Sequence, residues 1–256
     1  MDPVMLAVLF GGAMLAGWVD AVIGGGGLIL IPLILAAFPQ IAPAAALGTN
    51  KLAGVMGTAS AAVTLVRKRG VDRSIFWRYV PLALVASGAG ASAASLISKD
   101  VMRPVIIVLM LVVGVFVALK PAFGSPDAVA QSSRTRTLLG LVAVAAVGFY
   151  DGIFGPGTGM FLIMAFTAIF SQSFLDSAVM TKVVNVSTNL GALVVFALGG
   201  NIWFTLGLAL AVANVIGAQI GARTVLGGGA SFVRCAVLAL VVIMACVLTY
   251  QQLHLT

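Results

Sequence analysis

The chain has 256 residues, of which 61% are hydrophobic and only 8% charged, with Glu absent. A typical soluble domain is about a quarter charged, so a water-soluble globular protein is excluded. The formal charge of +7 sits mostly in short loops between apolar runs, which makes it a topology signal and not a nucleic-acid surface.

In chain order, apolar segments long enough for a bilayer crossing of about 20 helical residues are expected at 5–23, 45–66, 76–97, 104–120, 137–154, 178–198, 202–222 and 232–250. Two shorter apolar stretches, 28–43 and 159–175, each follow a glycine-rich break and can be read as thin crossings or re-entrant half-helices. The first run lacks the basic flank and cleavage site of a secretory signal, so it is read as retained structure. The fold class expected is an all-α polytopic membrane protein with 8 to 10 membrane segments. Many of the 30 glycines lie inside apolar runs, where small residues let helices approach.

The chain repeats itself. GWVDAVIGGGGL at 17–28 matches GFYDGIFGPGTG at 148–159, placing Asp20 on Asp151 at an offset of 151 − 20 = 131. Without a gap, Lys51 then falls on Lys182 and Gly90 on Gly221. The expected organisation is a first transmembrane repeat at 1–119, a polar cytoplasmic linker at 120–136 and a second repeat at 137–256.

Loop charge bears on the relative orientation of the repeats. With parallel halves, eight Lys and Arg share one side against four. With inverted halves, Arg67, Lys68, Arg69, Arg73, Arg78, Lys120, Arg134, Arg136, Arg223 and Arg234 gather on one side, leaving only Lys99 and Arg103 opposite. The positive-inside rule favours the second arrangement. Odd crossings per half also suit secondary transporters. Inverted repeats are therefore expected, with both termini outside the cytoplasm.

Four charges break the apolar rule, and they form two repeat-related pairs: Asp20 with Asp151, and Lys51 with Lys182. Charges deep in a bilayer usually face the bundle interior and mark a pathway. The alternatives are snorkelling of the lysines to an interface and helix capping by the aspartates. Thr49 and Asn50 flank Lys51, Thr181 precedes Lys182, and Asn185 and Asn189 share a helix face one turn on. Together these donors suit a polar cavity between the halves. The glycine loops, including Gly25, Gly26 and Gly157, expose helix N-termini that attract anions. The implied substrate is a small anion, with Asp20 or Asp151 as the proton-coupling group.

Other chemistry has little to work with. The single His254 lies in the C-terminal tail, and Cys235 and Cys246 form neither CxxC nor Cys/His spacing, so no metal, cofactor or intramembrane enzyme activity is expected. No GxxxxGK[ST] sequence is present, so energy would come from ion gradients or a separate subunit.

GWVDAVIGGGGL, followed by ALGTNKLAG and the basic RKRGVD, resembles the sulfite exporter TauE/SafE family of membrane transporters, and GFYDGIFGPGTG with TKVVN resembles its second repeat. The resemblance implies transport of sulfite, sulfonates or related organic acids across the bacterial inner membrane. It touches Asp20, the 24–27 loop, Thr49, Asn50 and Lys51, and in the second half Asp151, Gly155, Gly157, Lys182 and Asn185. Met180 and Thr181 stand where the first half has Thr49 and Asn50, so the two half-sites need not act alike. A proton-coupled secondary transporter is the expected function, with an uncoupled anion channel or facilitator as the alternative. The expected partners are the anion, protons and the lipid bilayer, with homo-oligomer formation left open.

Overall fold

A computed structural model of the chain describes residues 3–97 and 133–227, together with 101, 102, 104–106, 108 and 112. The expected span at 232–250, most of that at 104–120, most of the linker, and Cys235, Cys246 and His254 lie outside the described residues.

Nine described helices follow in order: α1 (Pro3–Ile23), α2 (Gly27–Ala37), α3 (Pro43–Arg69), α4 (Arg73–Arg78), α5 (Val80–Ala94), α6 (Arg134–Ile153), α7 (Thr158–Phe170), α8 (Phe174–Leu198) and α9 (Phe204–Leu226). No strand occurs among the described residues. By length and composition, α1, α6, α8 and α9 can cross a membrane. Their outward faces carry exposed apolar side chains such as Val4, Leu138, Val194 and Val212, which suit lipid and not water. The chain is a membrane protein.

Local chemistry sets the helix ends. Pro43 opens α3, and Arg67, Lys68 and Arg69 close it before Gly70, where positive charge complements the C-terminal dipole. Ser173 caps α8 by accepting from the Asp176 amide at 3.2 Å. Ser133 does the same for α6, so that helix begins at Arg134, inside the stretch expected as linker. The expected span 76–97 is realised as α4 and α5 with a break at Tyr79. Pro81 explains the break, because it has no N–H to continue the helical ladder.

The helix starts keep one spacing. Pro3, Gly27, Pro43 and Arg73 lie 131 residues before Arg134, Thr158, Phe174 and Phe204, as 134 − 3, 158 − 27, 174 − 43 and 204 − 73 all equal 131. Packing exchanges partners across that spacing, with α1 lying on α9 and α6 lying on α5.

Contacts also give directions. Asn214 Nδ2 donates to Ala13 O at 3.1 Å and Trp18 Nε1 to Thr224 Oγ1 at 3.3 Å, so α1 and α9 run parallel. Leu52 beside Gly207 and Thr64 bonded to Gln219 at 3.0 Å make α3 parallel to α9. α1 and α3 therefore point the same way, and α2 with the loop after it must carry the chain back. At about 16 Å for 11 residues, α2 covers about half of a hydrocarbon core. α3 and α8 are antiparallel: Arg69 at the end of α3 pairs with Asp176 at the start of α8 at 2.9 Å. At the opposite end, the Trp203 amide donates to Thr49 Oγ1 at 3.0 Å.

Candidate functional site

α1 and α6 both stop inside the bundle, at Ile23 and Ile153, and each is followed by a glycine turn. Gly24 and Gly155 have φ of 77° and 88°, a conformation that favours glycine. The two turns touch, since the Gly159 amide donates to the Gly24 carbonyl at 3.1 Å. A Cβ on Gly24 would collide with the Gly159 backbone. The short helices α2 and α7 begin at this junction. Contrary to the expectation of exposed N-termini, most of their first amides are taken by turn carbonyls, Leu28 by Gly25, Ile29 by Gly26, Thr158 by Gly155 and Gly159 by Gly24.

Two ion pairs flank the junction, each joining a lysine of one half to an aspartate of the other. Lys51 Nζ lies 2.7 Å from Asp151 Oδ2, and both side chains are buried. Lys182 Nζ lies 3.3 Å from Asp20 Oδ2 and also donates to the Asp20 main-chain carbonyl. Thr58 Oγ1 donates to Asp20 Oδ2 at 2.9 Å. Thr158 Oγ1 lies 2.7 Å from Asp151 Oδ1. Desolvated charges of this kind are tolerated because each has an opposite charge, and Lys182, Asp20 and Asp151 each have a further polar contact.

Between the pairs is a cavity of about 30 Å³, lined by Asp20, Lys51, Asp151, Asn50, Asn185 and Asn189 together with Thr58, Thr158, Asn214 and the glycines at 24, 26, 27, 54 and 155. That volume suits about a water or two. Asn189 Nδ2 donates to Asn185 O at 2.9 Å, one turn back on the same face. Cation, carboxylates and amides thus share one small polar space inside an apolar bundle.

The expected residues divide. Asp20, Gly26, Asn50, Lys51, Asp151, Asn185 and Asn189 line the cavity. Lys182 does not line it: it is fully buried behind Asp20. Thr49 accepts from the Trp203 amide near the start of α3. Thr181 is buried with its hydroxyl unbonded among the described residues. Gly25 packs among Val19, Ile23 and Leu28, while Gly157 provides a left-handed cap for α7 with φ of 79°.

Asn214 lines the cavity without having been anticipated. Its signal was an amide within the apolar run of α9, but the matching position in the first half is Ala83, so the repeat offered no pair to flag it. Gly54 was also not anticipated and leaves no chemical signature of its own, whereas Gly27 belongs to the expected 24–27 loop.

Comparison with known proteins points to a family of membrane transporters. The family description "Sulfite exporter TauE/SafE" matches residues 9–248. The chain is 34% identical over 256 residues to "Probable membrane transporter protein YfcA" of Escherichia coli strain K12, covering 98% of this chain and 92% of that protein. It is 37% identical over 234 residues to "Probable membrane transporter protein ORF9" of Sinorhizobium sp, covering 90% and 87%. A "Probable membrane transporter protein" of Haemophilus influenzae is 33% identical over 248 residues, covering 97% and 96%. No solved structure matches the chain at a significant level.

Proposed function

The chain belongs to the sulfite exporter TauE/SafE family, and from that premise we propose that it is a proton-coupled secondary transporter for a small sulfur-containing anion. Sulfite, a sulfonate or a related organic acid is the cargo class, and the bacterial inner membrane is the location. The observation that carries the reading is the cavity at the meeting of the glycine turns. Its lining holds the Lys51 ammonium, two carboxylates, and amide groups from Asn50, Asn185, Asn189 and Asn214.

An oxyanion needs several donors in a dry setting, and amide N–H groups with an ammonium supply them without adding excess charge. The carboxylates offer places for a proton. In this reading the two halves are inverted repeats, supported by the constant spacing of helix starts and by the antiparallel course of α3 and α8. Such repeats place substrate at their interface and rock about it. A channel would use the same groups, but only a coupled carrier would drive the anion against its gradient under an imposed pH difference.

Binding to the purified protein tests the reading against a panel of sulfite, thiosulfate, methanesulfonate and acetate. Binding of a sulfur oxyanion that weakens in Lys51→Met is the expected result. Failure of every anion in the panel to bind would contradict it.

A further inference from the structure

The two ion pairs occupy matching places in the halves but are built differently. Lys182 is fully enclosed and held by two acceptors of Asp20, its carboxylate and its main-chain carbonyl, so it closes the end of α1. Lys51 lines the cavity, and its ion-pair partner is the Oδ2 of Asp151. That oxygen has no hydrogen-bond donor among the described residues apart from the ammonium beside it.

The other oxygen of Asp151 faces a hydroxyl with two choices. Thr158 Oγ1 lies 2.7 Å from Asp151 Oδ1 and 2.8 Å from the Gly155 carbonyl. A hydroxyl has one proton to donate and can also accept. When Asp151 is ionised, Thr158 donates to Oδ1. When Oδ1 carries a proton, the carboxyl donates to Thr158, which turns its own proton to Gly155. Both states are satisfied with no heavy atom moving. The first half lacks this device, because the position matching Thr158 is Gly27.

We propose that Asp151 is the proton-carrying carboxyl of the transport cycle and that Thr158 is the positioning residue that accommodates both of its states. Protonation frees Lys51 for the incoming anion, with one proton taken up per negative charge. This rests on the reading of the protein as a proton-coupled anion transporter.

Charge balance supports it. Asp20, Asp151, Lys51 and Lys182 sum to zero, so an anion entering alone would leave uncompensated negative charge in the bundle. A proton passing from water to Asp151 Oδ1 restores neutrality, while Lys51 keeps its own proton and exchanges Asp151 Oδ2 for an oxygen of the anion. The groups facing Asp151 are few. Lys51 comes from α3 and Thr158 from α7, and Asp20 of α1 lines the same cavity. α5 has no titratable side chain, and α8 offers Lys182 behind Asp20, its Asp176 being engaged by Arg69. Tyr150 donates to the Pro156 carbonyl at 2.7 Å.

Infrared difference spectra of the full-length protein in lipid, between alkaline and acid pH, read the protonated carboxyl directly. The C=O band should vanish in Asp151→Asn, shift in Thr158→Val, and persist in Thr158→Ser and Asp20→Asn. A band that survives Asp151→Asn and vanishes in Asp20→Asn overturns the proposal. Proton uptake from weakly buffered solution on adding methanesulfonate, a fixed monoanion, should be one per anion bound in wild type and Thr158→Ser. Binding without proton uptake overturns the proposal and leaves the transporter reading standing. If methanesulfonate, sulfite and thiosulfate all fail to bind, the transporter reading falls and the coupling with it, while the infrared band still decides where the proton sits.

Discussion

Lys51 of α3 and Asp151 of α6 form an ion pair of 2.7 Å, with side chains 3% and 2% exposed. Lys182 and Asp20 close the reciprocal pair, so each half supplies the cation that balances the other half's carboxylate. The polar centre therefore exists only when the halves are assembled. Anything that exchanges a partner at this centre acts on the interface between them.

Removing one member of a buried pair leaves the other uncompensated, at a cost of about 3–5 kcal/mol. Lys51→Met should lower thermal stability in detergent by an amount of that order. The double substitution Lys51→Met with Asp151→Asn should recover most of it, without recovering anion transport. A single variant as stable as wild type would mean that the pair contributes nothing to the assembled state.

Lys182 should behave differently. It also donates to the Asp20 carbonyl at the end of α1, which without it would keep only the Gly24 amide at 2.7 Å, and a hydrogen bond from a charged group contributes about 1.5–3 kcal/mol. Lys182→Met with Asp20→Asn should therefore recover less stability than the Lys51 double variant. Equal recovery in the two unfolding series would show that the main-chain contact is unimportant.

The helix pairs that cross the halves depend on missing side chains. A Cβ on Gly217 would run into the Met14 carbonyl, whereas one on Gly11 meets nothing within 4 Å. Gly217→Ala should force α1 and α9 apart and destabilise by about 1–3 kcal/mol. Gly11→Ala, in the exposed part of the same α1, should stabilise by up to about 1 kcal/mol through helix propensity. Melting curves of the two variants should move in opposite directions, and parallel shifts would count against the packing described.

Inversion has a direct chemical readout. Lys68 and Gly199 occupy matching places in the halves, since 199 − 68 = 131, and both are exposed. Lys68→Cys and Gly199→Cys should react with a membrane-impermeant thiol reagent from opposite faces of sealed vesicles, in a background lacking Cys235 and Cys246. Labelling from the same face would require parallel halves.

Much of this was legible in the sequence because charge in an apolar chain is conspicuous. Asp20, Asp151, Lys51 and Lys182 stood out through their cost in lipid, and three of the four line the cavity. Which lysine pairs with which aspartate was not readable, because side-chain pairing across halves depends on helix directions. The burial of Lys182 behind Asp20 and the apolar setting of Gly25 were hidden for a related reason: a repeat preserves residue type at a position, not its exposure. Asn214 escaped because it has no counterpart in the first half. The break at Tyr79 was signalled by Pro81, but the continuous apolar run around it masked the signal.

The proposed coupling makes Lys51 and Asp151 the anion site of a proton-driven carrier. Uptake of sulfite into proteoliposomes under an imposed pH gradient, without any sulfite gradient, tests it most directly. Accumulation above the external concentration is expected in wild type, and its loss in Lys51→Met. Simple equilibration unaffected by the pH gradient, or accumulation undiminished in Lys51→Met, would contradict it.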